Sequence, residues 1–131
     1  MNREILFRGK RVDNGKWVEG YYCPTPFSRF PCKPSIYAVA TINDHWRGIE
    51  VIFETVGQFT GLTDKNGVKI FEGDILKFRS GIYSVEWDNE HSKFLQRDGQ
   101  FSRELHIWIA KSEIVGNIHD NPELLKGEEN E

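Results

Sequence analysis

Asp64, Glu72 and Asp74 are the side chains whose type and spacing come closest to a reaction centre, because they flank an Asn66-Gly67 pair that can fold the chain back on itself. A hairpin through that pair would bring Asp64 toward Glu72. Two or three converging carboxylates can hold a divalent cation with hard oxygen ligands, or divide general-acid and general-base work between them. The same residues also suit a purely local role. Asp64 opens a turn, Glu72-Gly73-Asp74 reads as a bend between two strands, and carboxylates at such positions accept hydrogen bonds from their own backbone. No nucleophile or further acid–base motif converges on them, so the local role is favoured and no catalytic, cofactor-binding or metal-ligating residue is assigned. A metal-dependent enzyme using Asp64, Glu72 and Asp74 stands as an alternative.

Other chemistry finds less support. His45, His91, His106 and His119 are scattered, with no His-Glu-x-x-His and no pairing with cysteine at ligand spacing. Cys23 and Cys32, the only two cysteines, have a spacing that fits neither a zinc knuckle nor a redox Cys-x-x-Cys pair, and free thiols are expected. No Ser lies in a Gly-x-Ser-x-Gly elbow, and the glycines at 57, 61, 67 and 73 lack the Lys-Ser/Thr of a phosphate loop. Nucleotide hydrolysis and acyl transfer both lose their basis.

Binding chemistry is better represented. Arg8, Lys10 and Arg11 near Trp17, or Lys77 and Arg79 on one strand face, could form a basic aromatic strip of the kind that grips single-stranded nucleic acid by charge and stacking. Trp46-Arg47-Gly48 offers a further exposed aromatic contact. Against nucleic acid stand the acidic neighbours and a formal net charge of −3, which repels phosphate polymers as a whole. Nine Phe, four Trp and four Tyr in 131 residues supply ample contact surface for a protein partner.

The elements that must position these residues read as strands. Glu4–Val12 and Lys16–Tyr22 flank Asp13-Asn14-Gly15, a turn that supplies the positive φ a tight hairpin needs. Pro24, Pro26, Pro31 and Pro34 interrupt the next segment, giving an irregular loop. Ile36–Asn43 and Ile49–Val56 form a second antiparallel pair, with Ile49, Val51 and Phe53 on an apolar face. Short strands come next at Val68–Phe71, Ile75–Arg79, Ile82–Asp88, Lys93–Arg97, Leu105–Ala110 and Glu113–Val115, with Tyr83, Val85 and Trp87 on the face opposite Ser84, Glu86 and Asp88. Many short strands joined by tight turns point to a small, strongly bent barrel, here of SH3-like type. Asn121-Pro122-Glu123 opens a short helix through Leu125. The acidic 127–131 segment has no apolar residue and forms a tail.

The chain resembles YopX-type phage and prophage proteins through Phe7-Arg8-Gly9-Lys10, Trp17-Val18-Glu19-Gly20, Thr55-Val-Gly-Gln-Phe-Thr-Gly-Leu62, Asp64-Lys-Asn-Gly67, Ile70-Phe-Glu-Gly-Asp-Ile75 and Glu113-Ile-Val-Gly-Asn-Ile118, in that order. The Pro24–Arg47 stretch falls outside these phrases. What the resemblance implies is a small β-rich protein encoded in phage-derived DNA, made in the bacterial cytoplasm, with no assigned reaction. No run of apolar residues long enough for a membrane span interrupts the sequence, and the Met1-Asn-Arg-Glu-Ile start carries no signal-peptide run.

Residues and resemblance together give an all-β or β-dominated chain with a short C-terminal helix. It is read as one domain over 1–126, made of an N-terminal hairpin region over 1–56 and an SH3-like barrel over 57–126. The expected role is a non-catalytic binding or self-assembling accessory protein without cofactors. Its expected partner is protein, above all itself, through open strand edges and through Phe27 and Phe30 in the proline-rich loop. Nucleic acid is the alternative partner.

Overall fold

Asn14-Gly15 folds the chain as its backbone freedom allows. In the computed structural model, β1 (Phe7–Lys10) and β2 (Trp17–Cys23) pair antiparallel around it, with Phe7 opposite Gly20 and Lys10 opposite Trp17. The Arg11 amide donates to Lys16 O at 2.8 Å and the Gly15 amide to Arg11 O at 2.9 Å. The structure describes residues 5–23, 35–38, 48–79, 81–99, 101–105 and 109–126. Strands dominate these residues, in two compact units, Met1–Phe59 and Thr60–Glu131.

In the first unit, β3 (Ser35–Ala38), β4 (Gly48–Glu50) and the start of β5 (Gly57–Thr63) complete a sheet in the order β4-β3-β2-β1-β5. Leu6, Ile36, Val51 and Phe59 are its buried side chains. Gly9 makes that packing possible, because a Cβ there would lie 3.1 Å from Val51 Cβ and 3.3 Å from Ile36 Cδ1. The expected strand Ile49–Val56 is cut short. After β4 only Val51 bridges to Arg11, and Phe53–Thr55 winds into a 3₁₀ turn. The Thr55 hydroxyl holds that turn, donating to Ile52 O at 2.6 Å while accepting the Lys10 amide at 2.9 Å. Phe53 is consequently 62% exposed and not on an apolar inner face.

In the second unit, the end of β5 turns at Asn66-Gly67 into β6 (Lys69–Phe71). Gly67 has φ +80, its amide donates to Asp64 O at 3.0 Å, and the Asp64 amide donates to Val68 O at 2.9 Å. A five-stranded antiparallel sheet follows, built from β7 (Asp74–Phe78), β8 (Gly81–Asp88), β9 (Lys93–Asp98), β10 (Phe101–Glu104) and β11 (Glu113–Asn117). Its order is β10-β9-β8-β7-β11, a meander whose last strand returns to the first. The core gathers Ile70, Leu76, Val85, Leu105 and Ile109, with Leu62, Phe94 and Ile114 packed against it. The predicted alternation in β8 holds: Val85 is in this core, and Trp87 meets Phe94 edge-on at 4.9 Å.

The expected closed SH3-like barrel is not found; the sheet of the described residues is open, ending in β10 and β11. Of the strand predicted at Leu105–Ala110, Leu105 and Ile109 are buried in the core and Ile109–Lys111 is a 3₁₀ turn, while 106–108 lie outside the described residues. The helix appears where expected, as α1 (Glu123–Lys126), but the Asn121 side chain does not cap it. Its Oδ1 accepts the Asn117 amide at 3.3 Å, and the Asn121 carbonyl accepts the Leu124 amide at 3.1 Å. Of the Pro24–Arg47 stretch only β3 is described; Phe27, Phe30, Cys32, His45 and Trp46 lie outside the described residues, as do His106, Trp108 and the 127–131 tail.

Candidate functional site

The three carboxylates do not meet at a shared centre; two of them are wired into backbone. Asp64 is 6% exposed. Its Oδ1 accepts the Asn66 amide at 2.8 Å and the Val68 amide at 3.0 Å, and its Oδ2 accepts the Ile114 amide at 3.1 Å. Burial pushes this carboxyl up, but the amides of Ile114, Val68 and Asn66, with Lys65 nearby, outweigh burial and hold it below its ordinary value. Asp64 thus both forms the turn it opens and ties that turn to β11. Asp74, 2% exposed, accepts the Phe71 amide at 2.8 Å. Between them Gly73, at φ +94, donates to Val85 O at 2.9 Å and accepts the Ile118 amide at 2.8 Å. The Phe71–Asp74 bend is therefore a junction joining β8 to the end of β11. Among the described residues, no group of three or more His, Cys, Asp and Glu side chains is placed to hold a metal ion.

His91 pairs with Asp88 at 2.8 Å on the surface, and that hydrogen bond holds the Asp88 carboxyl below its ordinary value. The His119 amide donates to Asn117 Oδ1 at 3.0 Å in the turn after β11. Cys23 carries a free thiol at the end of β2.

The basic aromatic strip exists on the first unit. Register places Arg8 and Lys10 on the same face of β1 as Trp17, Glu19 and Tyr21 of β2. The Arg8 guanidinium carbon lies 4.6 Å from the Trp17 ring centre and Lys10 Nζ lies 5.8 Å from it, so both cations sit over one indole. On the other side of β1, the Ile52 amide donates to Lys10 O at 2.8 Å and the Val12 amide to Glu50 O at 3.1 Å. Val12, Tyr21, Ile52 and Phe53 all stand exposed on this unit. Residues 1–59 hold eight Lys and Arg against six Asp and Glu, whereas 60–131 hold nine against fourteen, so the strip lies on the basic half of an acidic chain. Of the second expected strip, Lys77 lies on β7, which ends at Phe78, and Arg79 follows outside the strand in the left-handed region at φ +57, its guanidinium carbon 5.2 Å from the Phe78 ring centre. The exposed Phe53 was not foreseen, since alternation from Val51 onward read as continued strand; the Thr55 hydroxyl that ends it gives no periodic signal.

Comparison with known proteins supports the fold and gives a family. A solved structure, that of protein EF1440 from Enterococcus faecalis, is similar over 95% of this chain and 99% of its own, at 24% identity and a TM-score of 0.59, a likeness of fold. Among curated proteins none matches. Residues 6–126, nearly the whole chain, match the family described as YopX protein, and the chain belongs to that family.

Proposed function

We propose that this is a phage- or prophage-encoded accessory protein of the bacterial cytoplasm that acts by binding and not by catalysis, with a second copy of itself as the preferred partner. The observation that carries this reading is the exposed side-chain set of the first unit: Phe53, Val12, Tyr21 and Ile52 stand out from a unit that also presents Trp17. Aromatic and large aliphatic groups are what protein interfaces bury at their centres. The use of Asp64 and Asp74 on backbone amides supports the non-catalytic part.

Light scattering at tens of micromolar tests it. A multimer that Phe53→Asp together with Tyr21→Asp reduces to a monomer, with the circular dichroism spectrum unchanged, is the expected result. A monomeric wild-type mass overturns the reading.

One observation favours a second reading, the two cations over Trp17. A single-stranded nucleic acid would stack a base on that indole and neutralise phosphates with Arg8 and Lys10. Titration with a thymidine oligonucleotide separates the readings: binding lost in Trp17→Ala and weakened steeply by salt would favour nucleic acid over self-association.

A further inference from the structure

A cavity of about 370 Å³ opens in the second unit, between α1 and the face of β8 and β9 turned away from Val85 and the core. Its volume is that of a small-ligand site. Because side chains alternate along a strand and directly paired residues share a face, the Ser84–Arg97 pairing puts Ile82, Ser84, Glu86 and Arg97 on the cavity side. Asp98, the next residue of β9, turns to the opposite face, and Gly99 has only backbone to lend. Ile82 and Leu125 supply the aliphatic wall.

The polar wall is a chain of contacts that ends in a guanidinium. The hydroxyl of buried Ser84 donates to Glu86 Oε2 at 3.1 Å, and Glu86 Oε1 lies 3.0 Å from Arg97 Nε. Ser84 thus fixes Glu86, and Glu86 holds Arg97 by its Nε edge. Among the described residues, the two terminal nitrogens of Arg97 are joined to no other group. Those nitrogens form a planar pair of donors, the geometry that meets both oxygens of one carboxylate. With 43% of the Arg97 side chain exposed, the guanidinium is open to a ligand yet partly desolvated, and a charge-assisted bond is stronger there than in bulk water.

We propose that this cavity binds a small aliphatic carboxylate, with its two oxygens on the terminal nitrogens of Arg97 and its hydrocarbon along Ile82 and Leu125. An ammonium would meet Arg97 in repulsion and find Glu86 already engaged at both oxygens. A purely apolar group would shut the Arg97 donors away from water without giving them an acceptor. Residues 60–131 hold fourteen Asp and Glu against nine Lys and Arg, which disfavours phosphates and polyanions and leaves a single negative charge as the fit. The carboxylate can come from a free short-chain acid or from the C-terminus of a peptide. The site lies wholly within the second unit and does not depend on the self-association reading.

An amide-resolved NMR titration of the full chain, at neutral pH and constant ionic strength, tests it with butyrate, n-butanol, n-butylammonium, N-acetyl-alanyl-leucine and the C-terminal amide of that dipeptide. The expected result is saturable shifts at Ser84, Glu86, Arg97, Gly99 and Leu125 with butyrate, weakened about tenfold or more in Arg97→Gln, as loss of one charge-assisted hydrogen bond implies. n-Butylammonium should leave these amides unmoved. Binding of N-acetyl-alanyl-leucine as tight as that of butyrate or tighter assigns the site to a peptide C-terminus, and binding of butyrate alone assigns it to a free acid. Absence of saturable shifts with either carboxylate overturns the proposal. So does an equal response to n-butanol, n-butylammonium or the dipeptide amide, or an affinity unchanged in Arg97→Gln while the remaining amide spectrum shows the fold intact.

Discussion

The two units solve the same problem, a small antiparallel sheet, in different ways. The first packs by close approach: Gly9 lets Val51 and Ile36 lie against the backbone of β1, while several of its large side chains remain outside. The second places a continuous aliphatic cluster inside and adds buried polar groups that bind distant backbone, Asp64 and Asp74 among them. The first unit leaves large apolar side chains outside, whereas the polar groups brought inside the second specify how its strands join. The contrast separates a surface available to a partner from a scaffold that fixes its own shape.

The largest test of that contrast is Asp64→Ala. It leaves the Asn66, Val68 and Ile114 amides without their acceptor, so a loss of about 3 kcal/mol and a fall in Tm of about 10 °C or more are expected in thermal unfolding. The same carboxylate gives the pH dependence a sign. Because the folded pKa is depressed, its contribution is fully present above the unfolded value of about 3.9 and is lost as pH falls below that toward the folded one. Wild-type unfolding should therefore show an acid decline that Asp64→Ala shows to a smaller extent. A Tm within a degree or two of wild type would reduce Asp64 to an ordinary turn residue.

Gly9→Ala is the matching test on the first unit. With Val51 at 3.1 Å, the added methyl must displace β1 or its neighbours, at a cost of about 1–3 kcal/mol by denaturant unfolding. A neutral result would mean that the first unit is loosely packed even at its core.

The smallest effect has the opposite sign. Gln96 is 1% exposed on β9, opposite Val85 of the core, and both its amide atoms lack a hydrogen-bond partner. Gln96→Met removes both polar atoms at similar volume and should be neutral or stabilising by up to about 1 kcal/mol. Clear destabilisation in the same denaturant assay would show that the amide has a partner in solution.

What could be read from the sequence was the local chemistry. Asn14-Gly15 and Asn66-Gly67 announced their turns, the alternation through Tyr83–Trp87 announced β8 and its inner face, and Pro122 placed the helix. What could not be read depended on pairing. The Gly57–Thr63 segment looks like a loop, with glycines at 57 and 61, and becomes β5 because β1 and β6 supply its hydrogen bonds. Ser102-Arg103-Glu104 is too polar to signal a strand and is held as β10 by its pairing with β9. Asp64 was legible as the opener of its turn, but nothing local signals that its second oxygen reaches Ile114. The Glu86–Arg97 pair and the cavity beside it likewise arise only when β8 and β9 are in register.

That long reach of Asp64 has a consequence in time as well as in stability. The strands β7 to β10 join neighbours in sequence and can zip as successive hairpins, whereas β11 must return to β7, and the Asp64–Ile114 bond spans 50 residues. Contacts that close so long a loop repay their entropy late in folding. The bond to Ile114 therefore belongs to the last stage of assembly, and its removal should leave the folding rate nearly unchanged while hastening unfolding. In a cell the clasp governs how long a folded molecule survives before it opens to a protease, more than how many molecules fold.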